Sequence, residues 1–346
     1  MKKIELKRFD DCIKSAVSKK KHVLLGNGFS RACRNEVFSY DSLFKSADFS
    51  RLSVEAKQIF QLLDTTDFEI VMKSLNVSAT IMPIYGCAAD ISNRAQSDSG
   101  FLRSILVNTI AKHHPPLPSS ISEEEYANCI KFLSNFDKIY SLNYDLLLYW
   151  TLMKQRELGG SEKDDGFRDP SEIENEISTE DGYVAWANDT HGQNIHYIHG
   201  ALHIFYQKAL LQKFCWSRTG TRLLEQIDTA LKSGKFPLIV AEGTANQKLE
   251  RIQKSNYLGF NFRSLRNCTG TLFTFGVSFG DADKHIMTQI QKNTRLEKIC
   301  VSVFGDIDSE NNLQMIQSLE TITNDRPASK PLTLEFYEAN SARVWK

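Results

Sequence analysis

Two glycines that follow a short apolar run are the first residues in this chain whose type and spacing suggest a chemical role. Residues 22–25 read as a buried strand, and Gly26, Gly28 and Ser30 come directly after it. Glycine lets the backbone turn with positive φ and leaves room for phosphate oxygens to reach bare N–H groups, so this order is typical of a phosphate-binding turn. Arg31 stands where a dinucleotide fingerprint has its third glycine, and no P-loop Gly-Lys-Ser/Thr follows. A plain tight turn after a strand remains the alternative interpretation.

Three further polar motifs also begin where a predicted strand ends. They are residues 141–145 with Asn143 and Asp145, the pair His199 and Gly200, and residues 276–283 with Gly276, Ser278 and Asp283. An amide such as Asn143 both donates and accepts hydrogen bonds, and a histidine such as His199 accepts a proton near neutral pH. Because the carboxyl ends of strands in an open parallel sheet line one crevice, we expect all four motifs to meet there.

The elements that must position these motifs alternate between strands and helices. Besides the first strand, apolar runs predict strands near residues 138–142, 194–200, 236–240, 271–275, 298–304 and 332–337, with 202–206 as the second arm of a hairpin that starts at 194–200. Helical spacing of apolar residues fills the intervals. The alternation predicts an α/β fold with an open, mostly parallel sheet and helices on both faces.

Two long segments lack strand patterns. Residues 50–135 read as helices, with a capping box predicted at 66–69, so they form a helical insertion in a domain made of residues 1–49 and 136–346. Residues 157–194 are acidic and glycine-rich and have no periodicity. We expect this second segment to be a mobile loop near the mouth of the crevice.

The composition excludes several classes of function. The 346 residues include 42 Lys and Arg and 42 Asp and Glu, and this net charge of zero attracts neither nucleic acid nor an anionic membrane. The seven cysteines are scattered singly, which fits reduced thiols in a cytosol and lacks the spacing of a zinc ribbon. No apolar run approaches the ~18 residues of a membrane span, and the N-terminus has no signal core. We therefore expect a cytoplasmic protein that binds neither membrane nor nucleic acid directly.

Structural roles are alternatives for some of the candidate residues. Asp145 suits the N-cap of the helix that follows it, and Asp281 and Asp283 suit the cap of a later helix. No metal ligands are predicted, because His113 and His114 precede two prolines without thiols or carboxylates at ligand spacing.

The order of the four motifs resembles that of the sirtuin-like domain found in bacterial antiphage-defence proteins. The matching motifs are Gly-x-Gly-x-Ser at 26–30, Ser-x-Asn-x-Asp at 141–145 in place of that family's Thr-x-Asn-x-Asp, His-Gly at 199–200 and Gly-x-Ser-x-x-Asp at 276–281. Residues 237–258, with Lys248 among them, also resemble the segment that precedes the last motif in that family. Asn27 stands where sirtuins usually have alanine, and the zinc-binding cysteine pairs of the protein deacylases are absent.

This resemblance implies a Rossmann-like fold, NAD as the ligand and no zinc. In the catalytic step, which passes through an oxocarbenium-like state, Asn143 would hold ribose hydroxyls or the attacking water, and His199 would be the base. The implied cofactor-binding residues are Gly26, Asn27, Gly28, Ser30, Asp145, Gly276, Ser278 and Asp283. The first glycine turn would hold the pyrophosphate, and the turn at 276–278 would lie under the adenosine.

The predicted activity is that of an NAD glycohydrolase, which releases nicotinamide and ADP-ribose, in the role of an antiphage-defence effector. A non-catalytic sensor of NAD or ADP-ribose is the alternative, since both would use the same glycine turn, and a protein deacylase is a third hypothesis. An enzyme that destroys NAD must be held inactive until a signal arrives. We therefore expect a homo-oligomer, assembled through residues 50–135, with a separately encoded partner such as a HerA-type ATPase or a phage-sensing protein.

Overall fold

The chain folds into two β-sheets flanked by α-helices. The computed structural model describes residues 4–16, 20–161, 163–169, 183–187, 192–207, 210–215, 222–233, 235–241 and 244–346. The strands are β1 Leu6–Lys7, β2 Lys21–Leu25, β3 Lys138–Ser141, β4 Phe167–Arg168, β5 Tyr183–Trp186, β6 Ile195–Tyr197, β7 Gly200–Gln207, β8 Leu210–Phe214, β9 Pro237–Ile239, β10 Gly270–Phe275, β11 Leu296–Val303 and β12 Thr333–Glu338.

The described helices lie between these strands and cover them. They are α1 Phe9–Lys14, α2 Asn27–Cys33, α3 Asn35–Phe38, α4 Tyr40–Ser46, α5 Val54–Leu62, α6 Phe68–Ile81, α7 Ala89–His113, α8 Glu123–Leu133, α9 Leu147–Glu157, α10 Leu223–Lys232, α11 Ala245–Lys254, α12 Asn256–Asn267, α13 Lys284–Gln291 and α14 Glu310–Asn324. Among them, none combines the length and the apolar character that crossing a membrane requires.

The larger sheet has seven strands in the order β1-β12-β11-β10-β2-β3-β6, and every neighbouring pair is parallel. This confirms the predicted α/β fold with a Rossmann-like parallel sheet. The chain passes from β2 to β3 on one side of β2, whereas β10 pairs with the other side. The order therefore reverses between β2 and β10, which is where open α/β sheets bind their ligands.

The register of four neighbouring strands sets their ends at one level. Phe275 of β10 pairs with Leu25 of β2, Leu25 pairs with Ser141 of β3, and Ser141 pairs with Tyr197 of β6. The four polar motifs follow these residues in the chain, so all of them start at the same edge of the sheet. The prediction that the motifs follow strands is confirmed at each one.

Helices cover both faces of this sheet. The ring of Phe275 packs 5.5 Å from the ring of Phe132 in α8. Tyr140 lies one position before Ser141 and so points to the opposite face. There its hydroxyl group donates a hydrogen bond of 3.1 Å to the carbonyl oxygen of Ser264 in α12.

The smaller sheet, of five antiparallel strands in the order β4-β5-β8-β7-β9, was not predicted. The expected hairpin of 194–200 with 202–206 is wrong, because β6 belongs to the parallel sheet and β7 to the antiparallel one. Gly200 makes this change of sheet possible. Its φ is +77°, and a Cβ atom there would lie only 1.7 Å from the carbonyl oxygen of Leu238.

The segment 157–194 differs from the expected loop where it is described. Phe167–Arg168 and Tyr183–Trp186 form β4 and β5, and Phe167 is buried. A run of only two or four strand residues carries too little periodicity to be found in the sequence. Residues 162, 170–182 and 188–191 lie outside the described residues. The prediction that segment 157–194 is mobile therefore falls partly on residues that are not described.

Residues 50–135 contain α5 to α8 and no strand, as predicted for the helical insertion. The expected capping box at 66–69 is wrong in its detail. The N-cap of α6 is Asp67, whose carboxylate accepts a 2.8 Å hydrogen bond from the N–H group of Glu69. The cap fixes the first turn of α6, which brings the side chain of Glu69 to the edge of the sheet where the motifs lie.

Candidate active site

A cavity of about 1520 Å³ lies at the shared edge of the four strands. Nine of the ten residues predicted for the site line it, from all four motifs: Gly26, Asn27, Gly28, Asn143, Asp145, His199, Gly276, Ser278 and Asp283. The tenth, Ser30, is fully buried beneath the lining. The structure thus brings the predicted residues together from positions as far apart as 26 and 283.

The two glycine turns are packed directly against each other. The N–H group of Gly26 donates to the carbonyl oxygen of Phe275, and that of Gly28 donates to the carbonyl oxygen of Gly276, both at 3.0 Å. A Cβ atom on Gly28 would lie 2.4 Å from the Cα atom of Gly276, whose φ is +68°. These N–H groups are therefore paired, which differs from the expectation of bare donors. The glycines are required for the close approach of the two turns.

A buried hydrogen-bond network fixes the amide of Asn143. Its Nδ2 atom donates to the carbonyl oxygen of Gly26 and to the Oγ atom of Ser30, each at 2.9 Å. Ser30 in turn donates to the carboxylate of Asp145 at 2.5 Å. Both amide hydrogens of Asn143 are used in this way, so its Oδ1 atom is the group left to meet a ligand. Ser30 positions Asn143 and does not itself line the cavity.

The N-cap of α9 is Leu146 and not Asp145, although Asp145 still contacts the first turn of that helix. Its carboxylate accepts a 2.9 Å hydrogen bond from the N–H group of Leu147, the first residue of α9, in addition to the bond from Ser30. Burial raises the pKa of Asp145, and these two hydrogen bonds act in the opposite direction. Asp281 and Asp283 make no side-chain cap to α13, so the capping alternative is not supported for them.

His199 lies in the turn between β6 and β7, with only 2% of its surface exposed. Its Nε2 atom is 2.9 Å from the Nε2 atom of His285, and its ring stacks near that of Tyr144 at 6.4 Å. Burial lowers the pKa of His199 well below its usual value, and the nearby His285 and Lys248 lower it further. The imidazole is therefore neutral at physiological pH, with a lone pair that can accept a proton.

A charged cluster that the sequence did not predict forms one wall of the cavity. The Nζ atom of Lys248 is 2.6 Å from a carboxylate oxygen of Glu69 and 3.9 Å from one of Asp283. The hydroxyl group of Tyr144 donates to the other Glu69 oxygen at 3.0 Å. Burial raises the pKa of Asp283 to about 6, with Lys248 opposing the shift. Residues 50–135 thus contribute Glu69 to the cavity wall, together with Leu106 and Ile110.

His285 and Lys248 left only weak signals in the sequence. Lys248 stands four residues before the buried Ile252, so it is a charged residue on the buried face of α11. His285 follows Asp283 by two residues, and nothing local indicates that it meets His199. Within the described residues, the donor atoms of His199, Asp283 and His285 all lie within 4.8 Å of one another, although no metal ligands were predicted.

One comparison with known proteins places this chain. The model of a family described as a domain of unknown function, DUF4917, matches residues 23–345. The chain belongs to the DUF4917 family. No curated protein matches it. In this DUF4917 chain the matched residues contain all four motifs and also Glu69, Lys248 and His285, so the site described above lies within the family's own region.

Proposed function

We propose that the chain is an NAD glycohydrolase that cleaves the bond between nicotinamide and ribose. The observation that carries the proposal is that Asn143 and His199 follow the paired residues Ser141 and Tyr197 on adjacent strands and line one cavity next to the reversal of strand order. The resemblance of the motifs to the sirtuin-like domain supplies the identity of the ligand. Drug-sized ligands fill roughly 300–1,000 Å³, so a cavity of about 1520 Å³ has room for an extended dinucleotide.

The proposed reaction is an attack of water on the ribose carbon that carries nicotinamide. As the carbon–oxygen bond forms, the carbon–nitrogen bond breaks and its electron pair leaves with nicotinamide, which becomes neutral. The water loses a proton to the lone pair of His199, and the Oδ1 atom of Asn143 holds the water or a ribose hydroxyl group. The products are nicotinamide and ADP-ribose. General base catalysis of this kind contributes typically 10²–10⁴-fold.

The other predicted residues have supporting roles in this proposal. Gly26, Gly28 and Gly276 line the cavity without side chains, so the pyrophosphate would lie along their backbone, with Asn27 beside it. Ser278 would lie under the adenosine, on the side of β10. Asp145 and Ser30 would act through Asn143, and Asp283 through Lys248 or a direct contact with the ligand.

One observation favours a second candidate, a sensor that binds NAD or ADP-ribose without cleaving it. The Nε2 atom of His199 already contacts His285, and its lowered pKa makes it a weak base in this state. Under the first proposal, a ligand or an activating partner must separate the two rings. Under the second, they stay together.

The wider role is proposed on the resemblance alone. It comprises antiphage defence, a cytoplasmic location, a homo-oligomer assembled through residues 50–135 and a separately encoded partner such as a HerA-type ATPase or a phage-sensing protein. The neutral net charge supports the expectation that the chain does not bind nucleic acid directly.

Incubation of the full chain with NAD, alone and with proteins co-purified from the native host, followed by mass spectrometry, tests the proposal. We expect nicotinamide and ADP-ribose in equal amounts, and Asn143→Ala and His199→Ala should each reduce turnover at least 100-fold. His113→Ala, in a helix end outside the cavity, should leave turnover unchanged. NAD recovered intact, alone and with proteins co-purified from the native host, would favour the sensor. Equal turnover in all variants would rule out the assigned residues.

A further inference from the structure

The contact between His199 and His285 joins two separate elements. His199 follows β6, and His285 lies in the first turn of α13, yet their Nε2 atoms are 2.9 Å apart and their rings are inclined by 23°. Two neutral imidazoles make such a contact only when one nitrogen carries a hydrogen and the other offers its lone pair. A cation placed between the two nitrogens would use both lone pairs.

The hydrogen that such a cation displaces can move to the other nitrogen of the His285 ring. The Nδ1 atom of His285 is buried and has no hydrogen-bond partner among the described residues. If Nε2 of His285 holds the shared hydrogen, its transfer to Nδ1 breaks no other bond within that part of the chain. Two nitrogen ligands at ~2.0 Å from a tetrahedral ion lie about 3.3 Å apart, so the contact must open by only a few tenths of an ångström.

Asp283 completes a set of three donor atoms. Its carboxylate oxygen and the two imidazole nitrogens all lie within 4.8 Å of one another, and the side chain keeps 21% of its surface exposed toward the cavity. Lys248, 3.9 Å from Asp283, opposes a cation here. However, Glu69 lies closer to Lys248, at 2.6 Å, and the three charged side chains together carry one net negative charge.

We propose that His199, Asp283 and His285 form a binding site for one divalent transition-metal ion such as Zn²⁺. Two imidazoles and one carboxylate suit Zn²⁺, Co²⁺ or Ni²⁺ and do not suit Mg²⁺ or Ca²⁺, which prefer oxygen ligands. Three protein ligands leave a coordination position open to the cavity, as in metal sites that accept a small molecule. The site goes beyond the proposed function: a bound ion would occupy the lone pair of His199 and so stop it from acting as a base.

Direct titration of the chelator-treated full chain with Co²⁺ alone tests the site, and it needs no NAD. We expect one equivalent of Co²⁺ with the visible absorption of a four- or five-coordinate ion, displaced by Zn²⁺ and not by a large excess of Mg²⁺. Asp283→Asn, which keeps the shape of the side chain, should weaken Co²⁺ binding at least tenfold. His285→Phe, which keeps a ring of similar size, should do the same, and circular dichroism of both variants checks their fold.

Two controls separate this site from other donors in the chain. His113→Ala should bind Co²⁺ like the wild type. Cys300→Ser removes a thiol from the second group of donors that the described residues bring together, Cys12, Cys300 and Glu335, and it should also bind normally. Absence of Co²⁺ binding by the wild type would overturn the proposal. So would unchanged binding by Asp283→Asn and His285→Phe, or sulfur-to-cobalt absorption that disappears in Cys300→Ser. A chain that binds Co²⁺ as expected but leaves NAD intact in its metal-free, chelator-treated form would contradict only the proposed function.

Discussion

The ammonium group of Lys248 lies 2.6 Å from the carboxylate of Glu69, and this largely buried pair joins α11 to the first turn of α6. The side chain of Lys248 is 1% exposed and that of Glu69 is 16% exposed. Without Lys248 the Glu69 carboxylate would therefore stay largely shielded from solvent, and it would keep the hydrogen bond from Tyr144.

Lys248→Met should therefore lower the free energy of unfolding by about 3 kcal/mol, the lower end for a broken buried pair, because it leaves the largely buried Glu69 carboxylate without its charged partner. Urea denaturation measures this loss. Lys232→Met is the matched control, since Lys232 pairs with Asp228 at the same distance of 2.6 Å but is 77% exposed. The control should change the free energy by less than about 0.5 kcal/mol. Equal changes in unfolding free energy for the two substitutions would show that the Lys248–Glu69 pair contributes no more to stability than an exposed pair.

The approach of Gly28 to Gly276 gives a second prediction. A methyl group at position 28 would lie 2.4 Å from the Cα atom of Gly276, and neither backbone can move without shifting β2 or β10. Gly28→Ala should therefore destabilise the fold by about 1–3 kcal/mol, as overpacking does.

Gly100→Ala makes the same chemical change at a position where it should stabilise the fold. Gly100 lies inside α7, and apart from its chain neighbours and the backbone of that helix, no heavy atom of the described residues is within 4 Å of the position of its Cβ atom. The substitution should stabilise the chain by roughly 0.5–1 kcal/mol. Urea denaturation of both variants should thus give opposite signs, and two shifts of the same sign would contradict the packing described at Gly28.

The part of the site that the sequence predicted is the part carried by local patterns. Asn143 and His199 each follow a short apolar strand, and the rule that parallel strands end at one edge is enough to bring them together. His285 and Glu69 could not be found in this way. Their roles depend on the packing of α13 and α6 against the sheet, and contacts between residues so distant in sequence leave no periodic signal.

The fold, like the site, was predictable where local sequence patterns determine it and not where long-range packing does. The order of strands and helices identified the parallel sheet, since helical connections between strands favour parallel pairing. The strands β7 and β9 look no different in sequence from strands of that sheet. Only the turn at Gly200, where the backbone passes against Leu238, sends β7 into the antiparallel sheet, and the sequence contains no measure of that approach.

His22 predicts how stability depends on pH. Its ring is buried in β2, and neither ring nitrogen has a partner among the described residues. Burial lowers the pKa of His22 from 6.5 to about 4. The neutral form is thus favoured in the fold, so the contribution of His22 is fully present above pH 6.5 and is lost as the pH falls through 4.

Replacement of His22 by phenylalanine removes this titration and retains the ring that packs edge-on against Tyr140. Between pH 6.5 and 4 the wild type should lose up to about 3 kcal/mol more unfolding free energy than His22→Phe, because the pKa of His22 is lowered from 6.5 to about 4 in the fold. Urea denaturation at several pH values measures the difference. Parallel pH profiles of the two proteins would mean that His22 is protonated in the fold at no cost.

Ser30 gives a prediction that separates positioning from stability. Its Oγ atom accepts from Asn143 and donates to Asp145, and it is fully buried. Ser30→Ala should cost about 1–3 kcal/mol of unfolding free energy, because the Asp145 carboxylate loses a buried donor. If the proposed function holds, kcat for NAD hydrolysis should also fall about tenfold or more, since the Asn143 amide keeps only its bond to Gly26.

Thr151→Ala is the matched control: it should lower stability without changing the orientation of the Asn143 side chain. Thr151 is also fully buried, and its hydroxyl group donates at 2.8 Å to the carbonyl oxygen of Leu147 within α9, away from the cavity lining. Removal of that hydroxyl should lower stability by a comparable amount and leave kcat unchanged at temperatures where both variants are folded. If kcat fell equally in both variants, the effect of Ser30 would be one of stability alone, and the bond from Asn143 to Ser30 would have no part in orienting the Oδ1 atom toward the ligand.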